Sequence, residues 1–302
     1  MRRKGASRGP CISLSPVVTR VMKQRGNRDA ILAQALPDEH VDYDRIAPSY
    51  DQRFMDNRLD GVVAALRALA RDLQAERILE VGCGTGRWLD DLAPEDRHLY
   101  GLDLSRGMLN EARGRCHLLH LVQGRGGQLP FPSETFDLVF CVNAIHHFDD
   151  PAGFVRESRR LVRPDGVVAV VGSDPHDDRG AWYVYDHFPG TLQVDLRRFP
   201  SWGTILDWVV RAGFEEAEWR LVQRIVDHKG GRDVLNDPFL QKDACSQLAL
   251  LSDEAYAAGV RRIEAAVEEA EAAGETVVFP VDIYLSALIG RSPNDGPRLR
   301  TR

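Results

Sequence analysis

Residues that could do chemistry gather at two points in this chain. The first is the stretch Ile78-Leu79-Glu80-Val81-Gly82-Cys83-Gly84-Thr85-Gly86-Arg87-Trp88, where a short apolar run takes in an acid and meets three glycines at alternate positions. Glycine tolerates positive φ and carries no Cβ, so the chain can turn sharply after a strand and let a ligand approach closely. A pyrophosphate-binding dinucleotide turn needs its third glycine where Arg87 stands, and a phosphate-cradling loop ends in Gly-Lys-Ser/Thr, which is absent here. The spacing therefore suggests a nucleoside ligand without a bound phosphate. Asp103 follows Gly82 by 21 residues, close to the ~20 expected of an acid that grips ribose hydroxyls at the tip of the next strand. A carboxylate there can accept two hydrogen bonds from a vicinal diol; the alternative is that Asp103 caps a helix starting near Ser105. The second point is Val142-Asn143-Ala144-Ile145-His146-His147-Phe148. Imidazole titrates near neutral pH, so His146 or His147 could serve as a general base, with His146 the first choice, or could simply pack. Adjacent histidines without a carboxylate partner make a poor metal site, and no metal is expected.

The elements that must position these residues alternate in type. Strands are expected near 77–82, 98–103, 117–122, 136–143 and 166–172, and helices near 59–74, 86–93, 106–114, 151–162 and 202–212. That order implies a parallel sheet covered on both faces, with ligands beyond the strands' carboxyl ends. Two longer strands, Glu215 to Asp227 and Thr276 to Ile289, follow. Pro280 suits the start of the second, or a bulge, and not its middle. Between them lies an insertion, 231–274. There Ser252 and Asp253 can cap an Ala/Glu-rich helix from Ala255 to Ala273, which Gly274 ends and Gly259 weakens. Such an insertion can cover the substrate mouth or act as a stabilising flap alone.

Taken in order, these motifs resemble class I S-adenosylmethionine-dependent methyltransferases with a type-11-like, small-molecule domain. Glu80-x-Gly82-x-Gly84-x-Gly86 is similar to the family's first motif, and His98 to Ser105 to its second strand with Asp103 as the ribose acid. Leu129-Pro130-Phe131 with Phe136 to Phe140 resembles the entry to its fourth strand, and Leu161 to Gly166 the turn before its fifth. The resemblance spans roughly residues 42 to 290. It implies a Rossmann-like α/β fold with a seven-stranded, mostly parallel sheet, a C-terminal antiparallel hairpin and the helical insertion. It also implies that S-adenosyl-L-methionine is the cofactor, surrounded by Glu80, Gly82, Cys83, Gly84, Gly86, Asp103, Leu104, Arg125, Gly126, Asn143 and Tyr50. The segment Asp42 to Asp51 resembles one that closes over the cofactor in many small-molecule members. Tyr43 and Tyr50 share a face if it is helical, though Pro48 argues against a continuous helix. An aromatic ring there would exclude water and attract the sulfonium by about 0.5–2 kcal/mol; core packing is the other reading.

Two departures from the family bear on function. Gly124-Arg125-Gly126 stands where many members carry Gly-Asp-Ala, and Arg cannot accept from the adenine amino group, although it could stack on the ring. The Asn/Asp-Pro-Pro-Tyr/Phe motif of base-amine methyltransferases is missing after strand four. The resemblance thus implies methyl transfer to an O, N or C nucleophile of a small molecule. An RNA (tRNA) methyltransferase and a non-catalytic adenosyl-ligand binder or partner subunit are the alternatives, and a nicotinamide oxidoreductase is disfavoured by Arg87. Trp182 to Pro189 and Arg197 to Trp202 interleave aromatics with charge, as a small-molecule pocket does. Arg197 or Arg198 could clamp a carboxylate or phosphate there.

Composition agrees. The chain has 302 residues, 43% hydrophobic and 28% charged, with a net charge of −6. That suits one large globular domain at about 41–290 and gives no general attraction to nucleic acid or anionic membranes. Apolar runs are of strand length, so no membrane span is expected. Five scattered cysteines without a Cys-x-x-Cys pair suit reduced thiols in a cytoplasm. Residues 1–40 read as a basic, disordered extension; a transit peptide or a start at Met22 are the other readings of its first part. Residues 291–302 read as a disordered tail.

Overall fold

A computed structural model describes residues 41–54, 58–93 and 97–294; the N-terminal extension and all but the first residues of the tail lie outside that range. Eight strands form one sheet: β1 Arg77–Val81, β2 His98–Asp103, β3 Leu119–Gln123, β4 Phe136–Val142, β5 Val162–Gly172, β6 Ala181–Trp182, β7 Glu216–Gly230 and β8 Val278–Arg291. The order is β3-β2-β1-β4-β5-β8, with β7 paired along β8 on its far side. The first five strands are parallel, and β8 runs antiparallel to both β5 and β7. This is the expected Rossmann-like arrangement with its antiparallel C-terminal hairpin. The eighth strand is the two-residue β6, which pairs with β8 at Val281 and Asp282, beyond the end of β5. Two residues are too few to show a period in the sequence.

Strand alternation assigns side chains to two separate cores. Ile78 on β1, with Leu138, Phe140, Val167 and Ala169, packs beneath the helix Asp60–Asp72, whose Val62, Val63, Leu66, Leu69 and Ala70 form one buried stripe. Leu79 and Val81 face the other way, towards the helices Pro151–Leu161 and Trp202–Arg211. Glu80 therefore sits on the Ile78 side of β1 at its carboxyl end. That is where the sheet order changes direction between β1 and β4, and where open α/β sheets bind ligands.

The insertion has its own core. Its long helix, Asp253–Ala272, is capped by Ser252, which accepts from the Ala255 N–H at 3.1 Å. Ile263 and Val267 of this helix join Val234, Leu248, Tyr183, Phe188, Phe279 and Val281 in one cluster. Gly259 admits the ring of Phe188 where any Cβ would collide with it. Pro280 is the third residue of β8, opposite His228, near the strand's start as its missing N–H requires. The strand runs on to Arg291, and Ser292 follows, buried and bonded to the Gly166 carbonyl at 2.8 Å.

Candidate functional site

All three glycines after β1 adopt left-handed backbone, with φ of 73° at Gly82, 52° at Gly84 and 72° at Gly86. A Cβ at Gly82 would lie 2.6 Å from the Ala144 Cβ, and one at Gly86 would lie 2.9 Å from Leu119. At Gly84 it would meet nothing nearer than the Tyr50 ring at 4.0 Å. The outer two glycines thus serve packing, and the middle one faces open space under Tyr50. Four of the loop's amides are spent on the protein: Gly82 and Cys83 donate to the Leu102 carbonyl, Gly84 to Asp103 and Gly86 to the Cys83 carbonyl. A phosphate cradle needs such N–H groups free. Cys83 turns its side chain into the core against Gly101, and burial pushes its thiol pKa up; only its backbone lines the loop.

Two acids flank this turn. Asp103 accepts from the Gly84 N–H at 2.8 Å through one oxygen and from the Ser105 N–H at 2.9 Å through the other. The cap of the following helix, Arg106–Arg115, is supplied by Ser105, whose hydroxyl accepts from the Met108 N–H at 3.0 Å. A carboxylate offers about four acceptor positions, so Asp103 retains capacity on both oxygens. Leu104 beside it is an apolar side chain 56% exposed. Glu80 is 0% exposed, and neither of its carboxyl oxygens has a partner among the described residues. Burial, then the charge of Asp103, holds its pKa well above the usual carboxylate value. Burial raises Asp103 in the same direction.

The tyrosine segment closes the site from above. A short helix, Tyr43–Ile46, passes at Ala47 into a 3-10 helix, Ala47–Phe54, which accommodates Pro48 without a continuous α-helix. Tyr43 and Tyr50 nonetheless meet, ring centroids 6.1 Å apart and near-perpendicular. The segment is pinned at several points. Asp44 accepts from the Ser105 hydroxyl and the Gly107 N–H, both at 2.6 Å, which holds its carboxyl below the usual range. Asp51 accepts from the Thr85 hydroxyl at 2.9 Å and pairs with Arg115. Arg45 and Arg53 reach across to Asp243 and the Ala244 carbonyl of the insertion. The segment therefore ties the glycine loop to the insertion.

The two histidines part company on the 3-10 turn Ile145–His147 that follows β4. Asn143, at φ 50°, directs its N–H to the Val171 carbonyl and turns the chain out of the sheet. His146 lies flat on Phe199, centroids 3.6 Å apart and planes 13° from parallel. Loss of solvation, then His147 and Arg198, pushes its pKa well below the usual imidazole value. His147 instead meets the tyrosine segment, its Nε2 2.7 Å from the Tyr43 hydroxyl. Arg125 is exposed and paired with Asp149, and the ring of Phe148 occupies the space beside Gly126.

Beyond β4 and β5, a small cleft of about 10 Å³ is lined by residues that include Asn143, His146, Gly172, Ser173, Phe199 and Trp202. Of the two arginines next to it, Arg197 is exposed and Arg198 turns inward. Arg198 is held by Asp195 at 2.6 Å and the Ser246 hydroxyl at 3.1 Å. Asp195, wholly buried, also accepts from the Tyr185 hydroxyl at 2.8 Å and the Gln247 amide at 2.6 Å. Sequence reading missed this network, because its members come from three short helices between Tyr185 and Gln247. Among the described residues no His/Cys/Asp/Glu group could hold a metal ion, and no helix is long and apolar enough to cross a membrane.

Residues 79–170 match the methyltransferase domain family. A demethylmenaquinone methyltransferase of Listeria monocytogenes is 25% identical over 240 residues, covering 68% of this chain and 96% of its own. A fatty-acid O-methyltransferase of Mycolicibacterium smegmatis is 35% identical over 119 residues, 38% of this chain and 43% of its own. In fold, the chain is similar to an S-adenosylmethionine-dependent methyltransferase from Thermotoga maritima, with a TM-score of 0.51 at 19% identity over 83% of this chain and 98% of that one. It is also similar to phosphoethanolamine N-methyltransferase 2 of Haemonchus contortus, with a TM-score of 0.52 at 17% identity over 83% and 57%.

Proposed function

We propose that this chain, whose residues 79–170 match the methyltransferase domain family, is a class I S-adenosylmethionine-dependent methyltransferase and that it methylates an O, N or C nucleophile of a small-molecule acceptor held between the tyrosine segment and the ends of β4 and β5. The observation that carries the cofactor's placement is Glu80. Two buried carboxyl oxygens without a partner cost about 1–3 kcal/mol each unless something donates to them, and they lie at the start of an open glycine turn. S-adenosylmethionine fits, since it offers an ammonium, a ribose diol and an adenine ring. In this reading Glu80 receives donors from the amino-acid end, Asp103 grips the ribose and Leu104 covers the base. Gly84, lacking a side chain, leaves room for close approach. When bound, the cofactor supplies an already activated methyl group on a sulfonium.

What remains for the protein is alignment and exclusion of water. Tyr50 and Tyr43 close the site over the glycine turn, and their pinning to Ser105, Thr85 and the insertion keeps them there. The Tyr43–His147 pair can hold a proton at His147 Nε2 or at the tyrosine oxygen, as an acceptor that ionises on methylation needs. His146, stacked and neutral, shapes the wall. A small acceptor rather than RNA is supported by curated relatives named for a quinone and for fatty acids. The test is transfer of labelled methyl from S-adenosylmethionine to a panel of quinols, phenols, amines and organic acids, beside bulk tRNA. Label in a small acceptor supports the proposal; label in tRNA alone contradicts it.

A further inference from the structure

The inward arginine of the acceptor side has more donors than its surroundings use. Arg198 ends the helix Thr191–Arg198 with a side chain only 12% exposed. Its Nη2 is committed to Asp195 and Ser246, but its Nε is buried with no partner. A buried donor left unsatisfied is costly, and guanidinium groups are built for planar oxyanions. Asp195 does not need Arg198 for its hydrogen bonds alone, since Tyr185 and Gln247 already donate to it. The network reads as a mount that fixes the guanidinium. Its guanidinium carbon lies 5.5 Å from the centre of the Phe199 ring, which lines the cleft and stacks on His146. With His146 held neutral, no second cation from that residue competes there.

We infer that Arg198 is the specificity residue of the acceptor site and that the acceptor carries an oxyanion, a carboxylate or a phosphate monoester, which Arg198 binds. This rests on the methyltransferase reading of the same site. Asp195, Tyr185 and Gln247 are positioning residues that act through Arg198. Arg197, pointing to solvent, plays no part.

The test is calorimetric titration of the full chain saturated with S-adenosylhomocysteine, using matched probes: benzoate against benzamide, decanoate against decanamide, phenyl phosphate against phenol. At least one acid should bind about tenfold or more tightly than its neutral partner, and the carboxylate and phosphate arms tell which oxyanion is taken. Arg198→Gln alone strands the buried Asp195, so the decisive variant is Arg198→Gln with Asp195→Asn. It should abolish the preference while S-adenosylhomocysteine affinity stays within about threefold, and Arg198→Lys should keep part of it. The inference is overturned if no acid is preferred, if the preference survives the double change, or if the double change weakens S-adenosylhomocysteine as much as the acid. Failure of the intact protein to bind S-adenosylhomocysteine at all overturns the cofactor reading itself, and this inference with it.

Discussion

The hydroxyl of Tyr43 lies 2.7 Å from Nε2 of His147, a bond that joins residues 104 positions apart and links the closing segment to the turn after β4. Burial, more than any charge, pushes the tyrosine pKa far up, so Tyr43 is neutral at ordinary pH and can donate to the imidazole. Removing that hydroxyl leaves the ring packing on Tyr50 but unties the segment from the site.

Tyr43→Phe is therefore expected to lower methyl transfer by about twofold to tenfold, with a smaller loss of S-adenosylhomocysteine affinity, since one such bond contributes about 0.5–1.5 kcal/mol. His147→Ala should cost more, up to the ~100-fold or more typical of a lost acid–base group. Steady-state kinetics of both variants measure this. Equal, small effects in both would mean that the pair only packs.

His146 should behave differently. Its ring is stacked on Phe199 and its pKa is driven down, so its aromatic face matters and its basicity does not. His146→Phe is expected to keep the rate within about threefold, consistent with a substitution that retains aromatic packing. His146→Ala should lower stability by opening a gap against Phe199. A rate collapse in His146→Phe with the melting temperature unchanged would contradict this division of roles.

Much of this was legible in the sequence because it is written locally. The glycine turn, Asp103 and the individual parallel strands are patterns confined to short stretches, and each stands close to where alternation and spacing put it. What could not be read depends on how distant segments meet. Neither histidine of the adjacent pair announces which one stacks on Phe199, because a single 3-10 turn decides it. Likewise, Arg197 and Arg198 differ only in which side of a helix end they occupy. Glu80 and Leu104 could be named only through the family resemblance: that the acid is buried without a partner and the leucine exposed is visible only in the folded chain. Sequence also offered helix capping as a rival role for Asp103, and that cap belongs to Ser105.

Glu80 gives a pH-dependent signature. Its folded pKa is raised above the unfolded value, so its contribution to stability is fully present below about pH 4.5 and is lost as pH rises through the folded value. Asp103 contributes with the same sign. A donor arriving from the cofactor favours the ionised carboxyl, so S-adenosylhomocysteine binding should release a proton at pH values between the usual carboxylate range and the raised one. Calorimetry in two buffers of different ionisation enthalpy reads that number directly. Glu80→Gln should abolish the release and flatten the loss of ligand-free stability with rising pH. Proton uptake by the intact protein would contradict the assignment.

The glycines should separate by position. Gly82→Ala forces a Cβ onto Ala144 at 2.6 Å as well as a strained φ, and is expected to cost about 2–4 kcal/mol of stability. Gly84→Ala carries the strained φ but meets open space, so it should cost about 1 kcal/mol while weakening the cofactor by crowding its approach. Thermal melts with and without S-adenosylhomocysteine separate the two effects. The reverse order, with Gly84→Ala the less stable variant, would show that the open side of the loop has been misassigned.

The most direct test of the central claim is calorimetric titration of S-adenosylhomocysteine into the intact chain and into Asp103→Ala, with NAD as the control ligand. Micromolar binding is expected of the intact protein, with a loss of about a hundredfold or more in Asp103→Ala from two charge-assisted bonds to the ribose, and no binding of NAD. Undiminished affinity in Asp103→Ala, or binding of NAD in place of S-adenosylhomocysteine, would contradict it.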